Sequence, residues 1–349
     1  MLTSLRIQNF RSIRDATVKL GQVNLFIGPN NSGKSNFLKG IEVAAAVFSN
    51  RPSSGRQGRD NLPKRLQAVA TELETEVSFT IEAELRDQVK TAITAILTDD
   101  ILSFQFLSSA EQNVPYELHH ALRDTVIYTI SPDRIRSNAS LKSSKSLNSD
   151  TSELVLFLFF LAQNNKLAFQ QLEADFALCI GDLISVSTPA DPDELGKLKL
   201  KFFDKNGVGY WAEEVSEGVL YFLALLCIVH QPDPPKLLLL EEPEKGIHPR
   251  RIREVMDFIF ELARMRDIQI ILTSHSPYVV DLFADIPECI SIFDRDPESG
   301  ETLIRNAGEY IEQTNAELAA QGLEPVAYTD ALGEYWVSGF LGGVPLNTL

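Results

Sequence analysis

The sequence predicts an α/β protein, a mixed sheet flanked by helices with a mostly helical insertion. Three observations lead there. The apolar run Val23 to Ile27 enters a Gly-rich loop at Gly28, and a helical pattern follows from Lys34 to Phe48. Strand, glycine loop and helix in that order open a doubly wound parallel sheet. From residue 215 to 293 helix and strand patterns alternate again, as the second half of such a sheet requires. The composition, 349 residues with 44% hydrophobic and 23% charged, is that of a globular chain with a sizeable core, and excludes collagen-like, disordered and disulfide-scaffold classes.

The elements follow in chain order. Residues 2–10 alternate like a strand, and a second strand pattern covers Ala16 to Leu20. Residues 49–65 are rich in Pro, Gly and Ser and predict an exposed loop. Strands are expected at 75–85 and 101–107 with a helix between them at 87–97, and a short strand at 126–130. The Ser-rich stretch 137–150 predicts a loop, 153–180 a strongly apolar helical region, and 183–187 and 197–203 strands. Then come a helix (219–230), a strand (237–240), a helix (250–265), a strand (268–273), a helix (277–283) and a strand (289–293). A last helix is expected over Glu309 to Gln321, and Trp336, Phe340 and Leu341 of the Gly-rich end are expected in the core.

Charge and composition narrow the function. The formal net charge is −16, which opposes wholesale coating of nucleic acid, where Lys and Arg must neutralise phosphates. The exception is local. Residues 49–65 carry Arg51, Arg56, Arg59, Lys64 and Arg65 against Asp60, which fits either a solvated loop or a DNA or phosphate contact. The three cysteines, Cys179, Cys227 and Cys289, are scattered and form no CxxC pair, and the N-terminus has no apolar signal region, so a cytoplasmic setting is expected. The apolar runs Leu154 to Ala162 and Val219 to Val229 fall short of the roughly 20 residues of a membrane helix, and no membrane partner is expected.

Four constellations carry chemistry. Gly28-Pro29-Asn30-Asn31-Ser32-Gly33-Lys34-Ser35, followed by Asn36, matches GxxxxGK[ST]. Its glycines let backbone N–H groups point at a phosphate and the following helix adds its positive end. Lys34 is expected at the β- and γ-phosphates and Ser35 at Mg²⁺. The apolar strand Leu237 to Leu240 ends in Glu241 and Glu242, at the edge where such sheets bind ligands. One carboxylate can hold the water shell of Mg²⁺ and the other can polarise an attacking water. The strand ending at Thr273 carries His275 at its tip, 33 residues after Glu242, within reach of a γ-phosphate. Ser216, in Glu214 to Val219, opens an apolar helix, either as a plain N-cap or as an anion site.

With these four in this order, the chain resembles ATP-binding-cassette ATPases, a P-loop NTPase fold of the ABC-ATPase head type. It is most similar to the RecF, SMC-like and OLD group, through the opening LRIQNFRSIRDATVKLGQVNLFIGPNNSGKSN, the carboxylate strand leading into EEPEKGIHP, the switch TSHSP and the SEG signature. The resemblance covers about residues 1–48 and 210–295. It implies ATP and Mg²⁺ as ligands, a Walker A loop at Gly28 to Ser35, Glu241 on the Mg²⁺ side of the Walker B strand, and Glu242 as general base. It also implies His275 as switch histidine, Ser216 and Gly218 as a signature acting on the ATP of the opposite protomer, and a D-loop at Glu244 to His248. Arg11 is expected near the nucleotide, and Gln105 is the candidate for the Q-loop glutamine. Glu241 stands where Asp is commoner. The implied division is an N-terminal ATPase lobe (1–135), a helical insertion (136–210), a C-terminal ATPase lobe (211–305) and a tail (306–349).

No insertion has the length or heptads of an SMC arm, and the stretch after Phe293 is too short for the nuclease domain of OLD proteins. The expectation is therefore a cytoplasmic ATPase that dimerises around ATP and regulates a separate effector, a nuclease or toxin, in anti-phage defence. The alternatives are a RecF-like repair ATPase gripping DNA through residues 49–65, and a scaffold in which bound ATP only fixes an assembly.

Overall fold

The structure is a computed structural model that describes residues 1–49, 56–58, 76–84, 90–98, 101–106, 115–140, 147–245, 247–328 and 331–343. Most of the basic 49–65 loop lies outside the described residues, as does 141–146 of the Ser-rich stretch. The chain divides into two compact units. The first comprises Met1–Ile127, Lys236–Glu242 and Leu262–Leu349, and the second Tyr128–Pro235 and Pro243–Glu261.

The first unit holds two sheets. One is mixed, in the order Thr302–Asn306, Ile290–Arg295, Val23–Ile27, Gln269–Thr273, Leu237–Glu241, Ile127–Tyr128, its last strand lying where the chain passes to the second unit. The pairings from Ile290–Arg295 through Leu237–Glu241 are parallel, and the hairpin partner Thr302–Asn306 is antiparallel. Val23–Ile27 and Gln269–Thr273 are buried at every residue, as strands covered on both faces must be, which is why they read as continuous apolar runs. The second sheet is antiparallel, in the order Ile13–Lys19, Leu2–Phe10, Val77–Glu84, Lys90–Leu97, Ile101–Phe106, Arg56–Gly58. The helix Lys34–Ser49 shares one buried cluster with both sheets. Within it the rings of Phe26, Phe37 and Phe293 meet at 5.0 to 5.7 Å and fasten the strands on either side of the glycine loop to the helix that follows it.

Two expectations are corrected here, and the helical region at 153–180 is resolved into two helices. Residues 90–97 form a strand, not a helix, because Val77–Glu84 and Ile101–Phe106 pair with it on both sides; Thr91, Ile93, Ala95 and Leu97 point inward. Helical residues at 153–180 break into Leu154–Asn164 and Lys166–Ile180 at Asn165, whose side chain caps the second helix through the Ala168 N–H. Of the tail residues, Trp336 and Leu341 are buried but Phe340 is 63% exposed.

The second unit contains those two helices, the helix Glu217–Val229, the start of the helix Pro249–Arg266, and a three-stranded antiparallel sheet of Leu183–Ser187, Lys201–Asp204 and Gly209–Trp211. Glu217–Val229 is apolar all round because it is buried from Gly218 onward. Phe176 against Phe202 joins helix to sheet. No described helix is long and apolar enough to cross a membrane.

Candidate functional site

The glycine loop leaves the C-terminal end of Val23–Ile27, at the carboxyl edge of the parallel strands. Its shape depends on two glycines. Gly28 has φ 145°, and a Cβ there would stand 2.2 Å from the Phe293 carbonyl oxygen. Gly33 has φ 104°, and a Cβ there would stand 2.1 Å from Thr302 Oγ1. Asn31, at φ 65°, takes the left-handed conformation that Asn tolerates best among side-chain-bearing residues. Pro29 is half-buried, Asn30 and Asn31 are exposed, and Phe37 N–H donates to Gly33 O at 2.8 Å, so the helix begins within the loop.

Lys34 is buried and folded back on the loop, donating to Gly28 O (2.7 Å) and Pro29 O (2.9 Å). Burial pulls its ammonium down to about 8, opposed by the nearby charges of Glu242 and Glu241. Ser35 Oγ donates to Glu241 Oε1 at 2.8 Å, which joins the loop to the end of Leu237–Glu241. Glu242 follows at φ 46°, and its N–H reaches both the carbonyl and the hydroxyl of Thr273 at 3.2 Å. His275, two residues beyond Thr273, places Nε2 3.5 Å from Glu242 Oε1. The structure thus brings together Lys34, Ser35, Glu241, Glu242 and His275 in the first unit.

Arg11, at φ 54°, donates from Nη1 to Asn36 Oδ1 (3.3 Å), which sets it at the first turn of the loop's helix. Gln105 is exposed on the antiparallel sheet, opposite Thr94. Ser216 and Gly218 belong to the second unit. Ser216 occupies the N-cap position of Glu217–Val229 but its side chain makes no cap hydrogen bond, so the plain-cap reading does not describe it. A Cβ on Gly218 would meet only Arg251 Cδ and Ser216 Oγ, both at an ordinary 3.8 Å. Thr302 and Ser12 were not found by sequence reasoning. Thr302 sits on a hairpin strand with no motif, and only the glycine it touches gives a signal.

The loop fits a phosphate. Ser32 Oγ is buried with no hydrogen-bond partner, an unsatisfied hydroxyl inside a cradle closed by two glycines. The site also fits Mg²⁺, since Ser35 and Glu241 offer oxygen donors to a hard cation that keeps most of its waters. No group of three or more His, Cys, Asp and Glu side chains among the described residues is placed to hold a metal ion.

A glycine-cradled loop, a strand ending in two carboxylates and a histidine past the end of the neighbouring strand meet at one edge of the parallel sheet, the arrangement of a P-loop fold. A family model described as "AAA domain, putative AbiEii toxin, Type IV TA system" matches residues 23–281, and the chain belongs to this family. The fold is shared with the SMC head domain from Thermotoga maritima, at TM-score 0.51 and 13% identity over 87% of this chain and 98% of that one. An SMC head bound to the C-winged helix domain of ScpA gives TM-score 0.52 at 13% identity, over 89% and 99%. An uncharacterized ABC transporter ATP-binding protein of Bacillus subtilis (strain 168), YhcH, is 37% identical over 59 residues, 17% of this chain and only 18% of that protein. The chain is thus an AAA-domain protein with the fold of SMC head domains.

Proposed function

We propose that the chain binds and hydrolyses ATP with Mg²⁺, dimerises around the nucleotide, and works as the regulatory subunit of a cytoplasmic defence system with a separate effector. The observation that carries the reading is the convergence of Lys34, Ser35, Glu241, Glu242 and His275 on one loop with an unsatisfied Ser32 hydroxyl.

Lys34 exchanges its two loop carbonyls for phosphate oxygens, and the loop N–H groups hold the rest of their charge. Ser35 and Glu241 hold the cation's shell. Mg²⁺, when bound, neutralises charge on the transferred phosphoryl group. Glu242 accepts the proton of the attacking water, and His275, beside it, orients the same region toward the γ-phosphate. Catalysis here is mostly positioning and charge stabilisation. Ser216, exposed and with a side chain that caps nothing, and the adjoining Gly218 at the helix start suit contact with the ATP of a second protomer.

The family's description, with its putative toxin and toxin–antitoxin system, supports a defence role. The lobes at 1–135 and 211–305 would carry the nucleotide chemistry, with 136–210 and the tail 306–349 meeting the effector. Phosphate release and solution mass with and without ATP test the reading, using the wild type and Glu242→Gln. Turnover that Glu242→Gln abolishes, with a dimer trapped by ATP, is the expected result. Absent turnover in the wild type would reduce the protein to a nucleotide-fixed assembly.

A further inference from the structure

Beneath the phosphate loop a single line of hydrogen bonds joins three separate parts of the first unit. Arg11 Nη1 donates to Asn36 Oδ1 at 3.3 Å, and Asn36 Nδ2 donates to Ser12 Oγ at 2.8 Å. Ser12 Oγ lies 2.8 Å from Thr302 Oγ1. Ser12 Oγ thus accepts from Asn36 and shares a second hydrogen bond with the Thr302 hydroxyl, as one O–H donor and two lone pairs allow. The backbone repeats the last link, with Thr302 N–H donating to Ser12 O at 2.9 Å.

Both ends of this line bear on the nucleotide loop. Asn36 follows Ser35 in the first turn of Lys34–Ser49, so holding its amide holds the helix end where a phosphate docks. Thr302 lies directly against Gly33, where a Cβ would stand 2.1 Å from its Oγ1 and 2.8 Å from its Cγ2. Thr302 is buried, and Ser12 is part-buried in the turn between Leu2–Phe10 and Ile13–Lys19. The loop's curvature at Gly33 is therefore set from below by a residue on the hairpin strand Thr302–Asn306, more than 260 residues away in sequence.

We propose that Thr302 is a positioning residue for nucleotide binding. Through its contact with Gly33 and its hydroxyl bond to Ser12, it holds the phosphate loop and the Arg11–Ser12 turn in binding-competent register. The hairpin Ile290–Asn306 thereby acts on nucleotide affinity without touching nucleotide. The proposal rests on the ATP-binding reading above. Its prediction is separable from that reading, because it concerns how much affinity depends on one hydroxyl remote from the ligand.

The test is affinity for a fluorescent ATP analogue with Mg²⁺, together with the melting temperature of the ligand-free protein. Thr302→Val keeps the shape against Gly33 and deletes the hydroxyl, and Thr302→Ser keeps the hydroxyl. Thr302→Val is expected to weaken nucleotide binding about three- to tenfold, the range one hydrogen bond covers. Thr302→Ser is expected to stay near wild type. Ser12→Ala, which also takes away the acceptor of Asn36, should weaken binding by at least the same factor, and the double variant Ser12→Ala/Thr302→Val should be no weaker than Ser12→Ala alone, since the link to Thr302 is already gone there. Wild-type affinity in Thr302→Val, or effects of Ser12→Ala and Thr302→Val that multiply, would overturn the proposal and leave the ATPase reading standing. So would a loss in Thr302→Val that Thr302→Ser shares while both melt early, since that is a structural role only. A wild type that binds no nucleotide would overturn the ATPase reading and this proposal with it.

Discussion

His275 Nε2 stands 3.5 Å from Glu242 Oε1, the two residues being carried past the ends of neighbouring parallel strands by the turn at Glu242. The contact depends on the register Glu241↔Thr273 and on the Glu242 N–H held by Thr273 at 3.2 Å. Glu242 is thus fixed by backbone while its carboxylate faces the imidazole. Glu242→Gln keeps the shape and removes the base, so turnover should fall by about 10²–10⁴-fold with nucleotide affinity retained. His275→Ala should reduce turnover by less. Phosphate release assays on both variants decide the order, and a Glu242→Gln protein with wild-type turnover would strip Glu242 of its role.

Lys34 gives a pH dependence with opposite signs for stability and binding. Its ordinary value of 10.5 falls to about 8 on burial. Between those two values the unfolded chain holds a proton that the folded chain has released, so this residue's contribution to stability increases as pH rises through that window. Phosphate favours the ammonium, so nucleotide binding takes up a proton above pH 8. Affinity should therefore weaken as pH is raised past 8, by up to about tenfold per unit. Calorimetric titrations in buffers of different ionisation enthalpy should show proton uptake there and little at neutral pH. Affinity flat across that range would mean that Lys34 stays charged in the free protein.

The chemistry of the site was more legible in the sequence than its support. Gly28, Gly33, Lys34 and Ser35 act through local backbone shape, and local shape is what spacing reports. Glu241, Glu242 and His275 sit just past apolar strands whose burial on both faces makes them stand out. Thr302 has no such signal, because its role is a contact with Gly33 across the sheet. The strand Lys90–Leu97 differs, since Thr91, Ile93, Thr94 and Ile96 are β-branched and favour a strand locally, so the helix expected at 87–97 runs against its composition as well as against its pairing with Val77–Glu84 and Ile101–Phe106. The break at Asn165 needed the cap geometry to be seen.

Gly28 is held by backbone rather than by a movable side chain. The Phe293 carbonyl oxygen stands 2.2 Å from where a Cβ would be, and φ is 145°. Neither can relax without shifting the strand Ile290–Arg295, whose Phe293 ring packs on Phe26 and Phe37. Gly28→Ala should therefore cost stability of about 1–3 kcal/mol besides weakening nucleotide binding. A lower urea midpoint in the ligand-free protein is the measurement. An unchanged midpoint would show that the loop leaves this conformation freely.

Gly218 presents the contrary case. A Cβ there meets nothing closer than 3.8 Å, and the residue sits at the start of the helix Glu217–Val229, where alanine is favoured over glycine by up to about 1 kcal/mol. Nothing within the described chain asks for glycine at this position. If the requirement comes from the ATP of a second protomer approaching the backbone, Gly218→Ala should melt at or above the wild-type temperature. It should also bind nucleotide with wild-type affinity as a monomer, and fail to shift to dimer mass when ATP is added in a Glu242→Gln background. Loss of the dimer with stability intact separates an intermolecular contact from a packing role. A Gly218→Ala protein that dimerises normally would remove Ser216 and Gly218 from the proposed interface and leave the dimer, if one forms, to other surfaces.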